Sequence, residues 1–176
     1  MAVISAFTLI RAVSLFHLTA AYFFLTAPWL MADQNIVFIL GQSQKLPHAN
    51  MDTRSESSAF IAVLLTVLAL SDFTAASLDR DVSLQYWLAN VPVRLAFLFA
   101  LTGSIFLFKD DGVFGGGRAP GAHRDSPGAS LRNSLVFTWG FVETAAWFWV
   151  FMNLREEREM AARRRLVRLK AEEDRL

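Results

Sequence analysis

NSLVFTWGFVETAAWFWVFMNL, from Asn133 to Leu154, is the stretch of sequence that decides the fold. Arg132 and Arg155 flank it, and it contains one charged residue, Glu143, near its middle. At about 1.5 Å per helical residue it is long enough to cross a bilayer core of roughly 30 Å. A carboxylate at that depth costs about 2.5 kcal/mol or more to insert, so such a group normally faces the protein interior and has a partner.

Three further apolar stretches predict an all-α membrane protein with about four transmembrane helices. The predicted spans are residues 12–31, 57–78, 86–108 and 133–154, and the second and third also carry one charge each, Asp72 and Arg94. The chain is 54% hydrophobic, with 16 Phe and 5 Trp in 176 residues, and its long apolar runs are typical of polytopic membrane proteins. Residues 1–158 are therefore predicted to form one membrane domain, and residues 159–176 a charged cytosolic helix or tail.

The segments between the spans carry no catalytic or phosphate-binding pattern. Residues 36–40 are apolar but too short to span, so an interfacial or re-entrant turn is expected there. The Gly- and Pro-containing segment 109–132 is predicted to be a mobile linker, and it lacks the GK[ST] ending of a nucleotide-binding loop. The chain has no Cys and only three His, so we predict no catalytic residue, no metal site and no cofactor, and we expect the protein not to be an enzyme.

The distribution of positive charge predicts that both termini lie in the cytosol. With four spans, the side that carries the termini has ten Lys and Arg residues and the other side has six, which the positive-inside rule favours. In this topology Asp72 and Arg94 both lie about 9 Å inside the cytosolic ends of adjacent antiparallel spans, so they are expected to form an ion pair. Glu143 lies about 16 Å inside. It is expected either to reach Arg94 or to be protonated and donate a hydrogen bond.

The intramembrane charge network of Asp72, Arg94 and Glu143 has two interpretations. In the structural one, Arg94 fixes how three helices pack. In the functional one, Asp72 and Glu143 line a route for a cation or proton, and the chain is a small oligomeric ion transporter or channel. His17, in the first span, is expected either to make a polar contact to a neighbouring helix as a neutral histidine or to handle a proton.

The charged tail offers a contact surface at Arg163, Arg164 and Arg165. These residues are candidates for binding anionic lipid headgroups or for acting as an arginine-based retention signal. The alternative is a solvated helix, because nearby acidic residues offset most of the positive charge. Membrane lipids and unidentified membrane or cytosolic proteins are the expected partners. Direct nucleic-acid binding is not expected, because the chain contains no nucleic-acid-binding module.

Four blocks of the chain resemble the fungal increased loss of mitochondrial DNA protein family. They are ADQNIVFILGQSQKLP (32–47), AVLLTVLALSDFTAASL (62–78), YWLANVPVRLAFLFALTGSIFLFK (86–109) and LRNSLVFTWGFVETAAWFWVFMNLREER (131–158). The resemblance implies a multi-spanning protein of the endoplasmic reticulum membrane with no established enzymatic activity. It further implies an indirect role in mitochondrial DNA maintenance, links to fatty-acid and membrane-lipid homeostasis, and peroxisomal or mitochondrial association as alternatives to a purely reticular location.

Overall fold

Six α-helices and one short 3₁₀ helix make up the part of the chain that the computed structural model describes, residues 4–49, 51, 53–109 and 128–174. The α-helices are α1 (Ala6–Thr26), α2 (Pro28–Ala32), α3 (Asn35–Ser43), α4 (Glu56–Ala75), α5 (Arg80–Leu107) and α6 (Ser134–Glu173), and Ala129–Leu131 forms the 3₁₀ helix. These residues contain no strand, and α1, α4, α5 and α6 are each long and apolar enough to cross a bilayer. The predicted all-α, four-span class is therefore confirmed. Most of the predicted linker 109–132, with His123, lies outside the described residues.

The first long helix begins earlier and ends earlier than the predicted span 12–31. Ser5 caps it, because its side chain accepts a hydrogen bond from the Thr8 amide at 3.4 Å. The helix stops at Thr26 because Pro28 has no amide hydrogen and its ring disfavours helical geometry in the residue before it. Arg11 thus lies within α1, where its Nη2 donates to the Ala76 carbonyl at 3.0 Å, at the C-terminal end of α4.

The long helices pack closely in two pairs, α1 with α4 and α5 with α6. Small residues permit the first pairing, since Ala21 and Ala62 share one core cluster. The second pairing depends on Gly140, because a Cβ there would lie 2.8 Å from Cγ2 of Thr102. The short connection between α4 and α5 predicts that these two helices are neighbours. Polar contacts link them, including a 2.9 Å hydrogen bond from Ser83 Oγ to the Ala75 carbonyl.

The last helix runs without interruption from the predicted fourth span into the predicted tail. Asn133 caps it by accepting from the Val136 amide at 2.9 Å, and the helix then continues for 40 residues to Glu173. At about 1.5 Å per residue, α6 is about 60 Å long, roughly twice the thickness of the bilayer core. Its N-terminal end contacts α3, where Gly41 meets Ser134 so closely that any side chain at position 41 would clash.

Candidate functional site

Asp72 of α4 and Arg94 of α5 form a two-pronged ion pair inside the bundle. Arg94 Nη1 donates to Asp72 Oδ2 at 2.5 Å, and Nη2 donates to Oδ1 at 2.6 Å. Arg94 Nε also donates to Asn90 Oδ1, one turn earlier on α5, at 2.6 Å. Asp72 is only 1% exposed, so its charge depends on this partner. Both carboxylate oxygens accept from one planar guanidinium. The pair therefore fixes the relative orientation of the two side chains as well as balancing their charges.

Two tryptophan rings cover the Arg94 guanidinium. Its Cζ lies 4.6 Å from the ring centroid of Trp147 and 5.3 Å from that of Trp87, and the two rings stack with centroids 5.5 Å apart. The negative faces of indole rings attract a cation, so these contacts add to the ion pair. Trp87 is fully buried, whereas its neighbour Tyr86 is 39% exposed. The reason is that α5 starts at Arg80 and carries Trp87 two turns into the bundle.

Glu143 of α6 is bonded to His17 of α1 and to Trp147. His17 Nε2 and Glu143 Oε1 lie 2.7 Å apart, and Trp147 Nε1 donates to Glu143 Oε2 at 2.8 Å. His17 is 1% and Glu143 6% exposed. The sequence paired Glu143 with Arg94 or left it protonated and donating. The structure does not pair Glu143 with Arg94, because its Oε1 contacts His17 of α1 and its Oε2 contacts Trp147 in the next turn of its own helix. The protonated, donating form stays a prediction.

The hydrogen of the His17–Glu143 hydrogen bond can be carried by either partner. If Nε2 carries the hydrogen it donates to the carboxylate, and if Glu143 carries it the carboxyl group donates to Nε2. The other ring nitrogen, Nδ1, has no hydrogen-bond partner among the described residues, and the ring stacks on Trp139 with centroids 5.6 Å apart. The polar contact predicted for His17 to a neighbouring helix is thus present in the geometry.

Trp147 joins the two pairs into one network across four helices. Its ring face lies against Arg94 and its N–H bonds Glu143, so the connection runs from α4 through α5 and α6 to α1. Neither Trp147 nor Asn90 was predicted as a site residue. Spacing was the available signal, because Glu143–Trp147 and Asn90–Arg94 are both i,i+4 pairs that share a helix face.

A second buried carboxylate, Glu157, lies in α6 just beyond the predicted fourth span, between residue 154 and the predicted start of the tail at residue 159. Its Oε1 accepts from the Ala6 amide at 2.8 Å, and its Oε2 accepts from Arg80 Nη2 at 3.3 Å. Glu157 is 4% exposed. It therefore places a negative charge at the N-terminal end of α1, where the helix dipole favours one. Glu157 continues a buried stripe of α6 whose members alternate in spacings of four and three, and this spacing was the available sequence signal: Glu143, Trp147, Val150, Leu154 and Glu157.

The tail arginines Arg163, Arg164 and Arg165 lie on the exposed part of α6. Arg165 Nη2 is 3.1 Å from Asp81 Oδ2, and both side chains are largely exposed to solvent. An exposed pair of this kind contributes little to stability. The tail therefore leaves these side chains accessible, and the predicted contact to lipid or to a retention receptor stays a prediction.

Among the described residues there is no group of three His, Asp or Glu side chains that could hold a metal ion.

Glu143 lies where two cavities approach each other. One, of about 330 Å³, lies between α1, α3 and α6 and is lined mainly by apolar side chains. The other, of about 490 Å³, is a more open groove that includes His17, Asn90 and Arg94. Glu143 lines both of them. Glu143 is therefore the one ionisable residue common to the linings of the two spaces.

These features define an all-α membrane protein whose intramembrane charges pair with one another across the bundle. Residues 4–164 match the family described as increased loss of mitochondrial DNA protein 1, and the chain belongs to this family. It is also similar to protein ilm1 of Schizosaccharomyces pombe, with 26% identity over 152 residues that cover 84% of this chain and 82% of the relative. No solved structure matches the chain at a significant level.

Proposed function

We propose that this chain is a non-enzymatic, multi-pass protein of the endoplasmic reticulum membrane that supports mitochondrial DNA maintenance indirectly. In this role it acts through partner proteins or lipids and contributes to fatty-acid and membrane-lipid homeostasis. Membership of the family named for loss of mitochondrial DNA supports the link to maintenance. Both termini lie in the cytosol in this proposal, and peroxisomal or mitochondrial association is secondary to the reticular location.

The observation that carries the proposal is the contrast between the bundle and the far end of α6. Inside the bundle, Asp72, Arg94, Glu143 and His17 bond to one another or to indole groups, which favours a structural role for the network. Beyond Glu157, α6 continues to Glu173 as a largely exposed, highly charged helix. A partner or an anionic membrane surface would therefore meet the protein at this helix, where Arg163, Arg164 and Arg165 are exposed.

Complementation in S. pombe cells that lack protein ilm1 tests this proposal. The full chain and a variant with Arg163, Arg164 and Arg165 changed to Ala are compared for mitochondrial DNA copy number, protein abundance and membrane fraction. We expect the full chain to fractionate with endoplasmic reticulum and to restore copy number. The triple variant is expected to reach normal abundance with reduced rescue, because the contact surface is lost.

The matched control changes Glu172 and Glu173, exposed residues of the same helix, to Ala. This control is expected to keep both rescue and location. Full rescue by the triple arginine variant would contradict the tail as the contact surface. If the full chain were recovered only in the mitochondrial inner-membrane fraction, together with mitochondrial DNA, that result would contradict an indirect role.

A second candidate function, a small oligomeric ion transporter or channel, is favoured by one observation. Glu143 borders both cavities and shares a hydrogen bond with His17, inside the bundle. Asp72, the other acid first considered for ion transfer, is held on both oxygens by Arg94, so Glu143 and His17 are the groups left for this role. Proton or cation flux in proteoliposomes that falls to the empty-vesicle rate in Glu143→Gln would support transport. Wild-type flux at the empty-vesicle rate would end it.

A further inference from the structure

A third cavity, of about 370 Å³, lies between the start of α5 and the part of α6 beyond Glu157. Charged side chains make up most of its lining, which includes three arginines and two aspartates: Arg80, Arg164, Arg165, Asp79 and Asp81. Arg164 follows Glu157 by seven residues, so it continues the inward side of α6, whereas Arg163 does not line the cavity. The three tail arginines therefore differ in position, and two of them border an enclosed space.

Two accessible charges of opposite sign in this cavity have no partner. Arg165 donates to Asp81, and Arg80 donates to Glu157, which lies outside the lining. The Arg164 guanidinium and the Asp79 carboxylate are both exposed, and neither has a hydrogen bond or an ion pair with any residue that the structure describes. The Asp79 side chain also makes no capping bond to α5. A free cation and a free anion thus line one space without bonding to each other.

This pattern of charges fits a ligand that carries both signs. A phosphate accepts charge-assisted hydrogen bonds from a guanidinium, and a primary ammonium donates them to a carboxylate. A headgroup with several negative charges would be repelled by Asp79 and Asp81, and a simple anion would leave Asp79 unpaired. Phosphocholine has no N–H to donate. A phosphoethanolamine group, with one phosphodiester and one primary ammonium, matches Arg164 and Asp79 at the same time.

The α5 side of the cavity lies at the expected depth of lipid headgroups. Asp81 and Leu84 lie about 8 Å and about 3 Å before residue 86, the predicted start of the third span. The headgroup layer of one leaflet is about 5–8 Å thick. Leu84 is a buried apolar member of the lining, and the nearby Val82 is 54% exposed. A phospholipid can therefore place its headgroup in the cavity while its acyl chains extend along the bundle.

We propose that this cavity binds the headgroup of a phospholipid of the phosphatidylethanolamine class. Arg164 donates to the phosphate, and Asp79 accepts from the ammonium. Arg80 and Arg165 each retain N–H groups beyond the one used in their ion pairs, and these can also donate to the phosphate. This inference deepens the proposed function and rests on its membrane placement, because the cytosolic leaflet supplies the lipid.

Native mass spectrometry of the full chain, purified in detergent, tests the site. Phosphatidylethanolamine, phosphatidylcholine and phosphatidylglycerol with identical acyl chains are added in turn, and the lipid-bound fraction is measured. We expect phosphatidylethanolamine to be retained about threefold more than either of the others, the scale of one exposed ion pair. Glycerophosphoethanolamine, which has the same headgroup without acyl chains, should not displace it.

Two variants assign the bound lipid to the cavity. Asp79→Asn keeps the size of the side chain and should abolish the preference for phosphatidylethanolamine over phosphatidylcholine, because the partner of the ammonium is lost. Arg164→Gln should lower the retention of phosphatidylethanolamine about threefold, because the phosphate loses a cation. Arg163→Gln and Glu159→Gln are the matched controls, since both residues are exposed on α6 and do not line the cavity. Both should retain lipid like the unaltered chain.

Each other outcome overturns the inference. Equal retention of phosphatidylethanolamine and phosphatidylcholine, or an unchanged preference in Asp79→Asn, would show that the cavity does not recognise an ammonium group. Equal losses in Arg163→Gln and Arg164→Gln would assign the effect to the net charge of the tail. Displacement by glycerophosphoethanolamine would identify a soluble ligand instead of a lipid.

The inference and the proposed function can fail separately. Retention of phosphatidylglycerol above phosphatidylethanolamine would overturn the inference but keep an anionic-lipid contact for the tail. Loss of the lipid preference together with normal rescue of mitochondrial DNA copy number would remove the headgroup site alone. A clear lipid preference in a chain that does not rescue copy number would keep the site and contradict the proposed function.

Discussion

The indole of Trp147 lies between Arg94 and Glu143 and contacts them with different parts of the ring system. Its Nε1–H donates to Glu143 Oε2 at 2.8 Å, and its face lies 4.6 Å from Arg94 Cζ. The carboxylate and the guanidinium, which would attract each other directly, are instead joined through one aromatic group. A single side chain thereby links the Asp72–Arg94 pair to the Glu143–His17 pair.

Replacing Trp147 with Phe separates these two contributions. The ring face is retained and the N–H donor is lost, so Glu143 keeps a buried oxygen without its partner. We expect a loss of about 1–2 kcal/mol in stability, measured as a lower Tm in detergent micelles. Trp149→Phe is the matched control, because Trp149 is 55% exposed, and its Tm should stay unchanged. Equal Tm values for the two variants would contradict the donor role of Trp147.

A double-mutant cycle on Asp72 and Arg94 measures the buried ion pair. Asp72→Asn and Arg94→Gln should each destabilise by about 3–5 kcal/mol, because each leaves one charge buried without its counterion. The double variant should lose much less than the sum of the two. The exposed pair Asp81 and Arg165 is the control, and its cycle should give a coupling below about 1 kcal/mol. Additive losses at Asp72 and Arg94 would show that the pair does not act as a unit.

Glu157→Gln tests the anchoring of the N-terminal end of α1. The change removes the negative charge that faces the Ala6 amide and Arg80, so the first turn of α1 should open more often. Hydrogen–deuterium exchange of the amides from Phe7 to Ile10 should become faster, by a factor corresponding to about 1 kcal/mol. Glu159→Gln, an exposed change on the same helix, should leave that exchange as it is. Faster exchange in both variants would point to a general effect of tail charge.

Gly140→Ala tests the close approach of α5 and α6. The added methyl would meet Thr102 Cγ2 at 2.8 Å, and overpacking of this kind costs about 1–3 kcal/mol. Adding Thr102→Ser, which removes that methyl, should restore most of the lost Tm. Gly103→Ala, on the adjacent stretch of α5, is the control, since nothing lies within 4 Å of the new methyl and Ala is the better helix former. A Tm drop in Gly103→Ala equal to that of Gly140→Ala would contradict the packing argument.

The sequence predicted the four long helices well because each is a long apolar run, and that signal needs no knowledge of tertiary packing. It also brought Asp72 to Arg94, since a short connection sets the relative depth of two consecutive helices. The sequence did not predict His17 as the partner of Glu143. His17 lies on the most distant helix along the chain, and nothing in a single sequence states that α1 packs beside α6 at that depth. Tryptophans are typical of lipid-facing surfaces as well, so the i,i+4 spacing of Glu143 and Trp147 was only a weak signal for their hydrogen bond.

Glu157 was missed for a related reason. It stands in a run of charges that reads as solvated, and only the burial of Val150 and Leu154 before it shows that the core extends this far. Conversely, the apolar wall of the α1–α3–α6 cavity depends on where α3 returns against α6. That return includes the close approach of Gly41 to Ser134, which is visible only in three dimensions.

The uninterrupted course of α6 gives the protein a lever. From Ser134 to Glu173 the helix contains no proline, so it has no built-in hinge between the bilayer and its outer end. The arm beyond Glu157 is about 24 Å long, and a tilt of about 10° would move its end by about 4 Å. The same rod carries Glu143 and Trp147 at its other end. A force applied to this arm would therefore act as a torque on the helix segment that carries the paired charges.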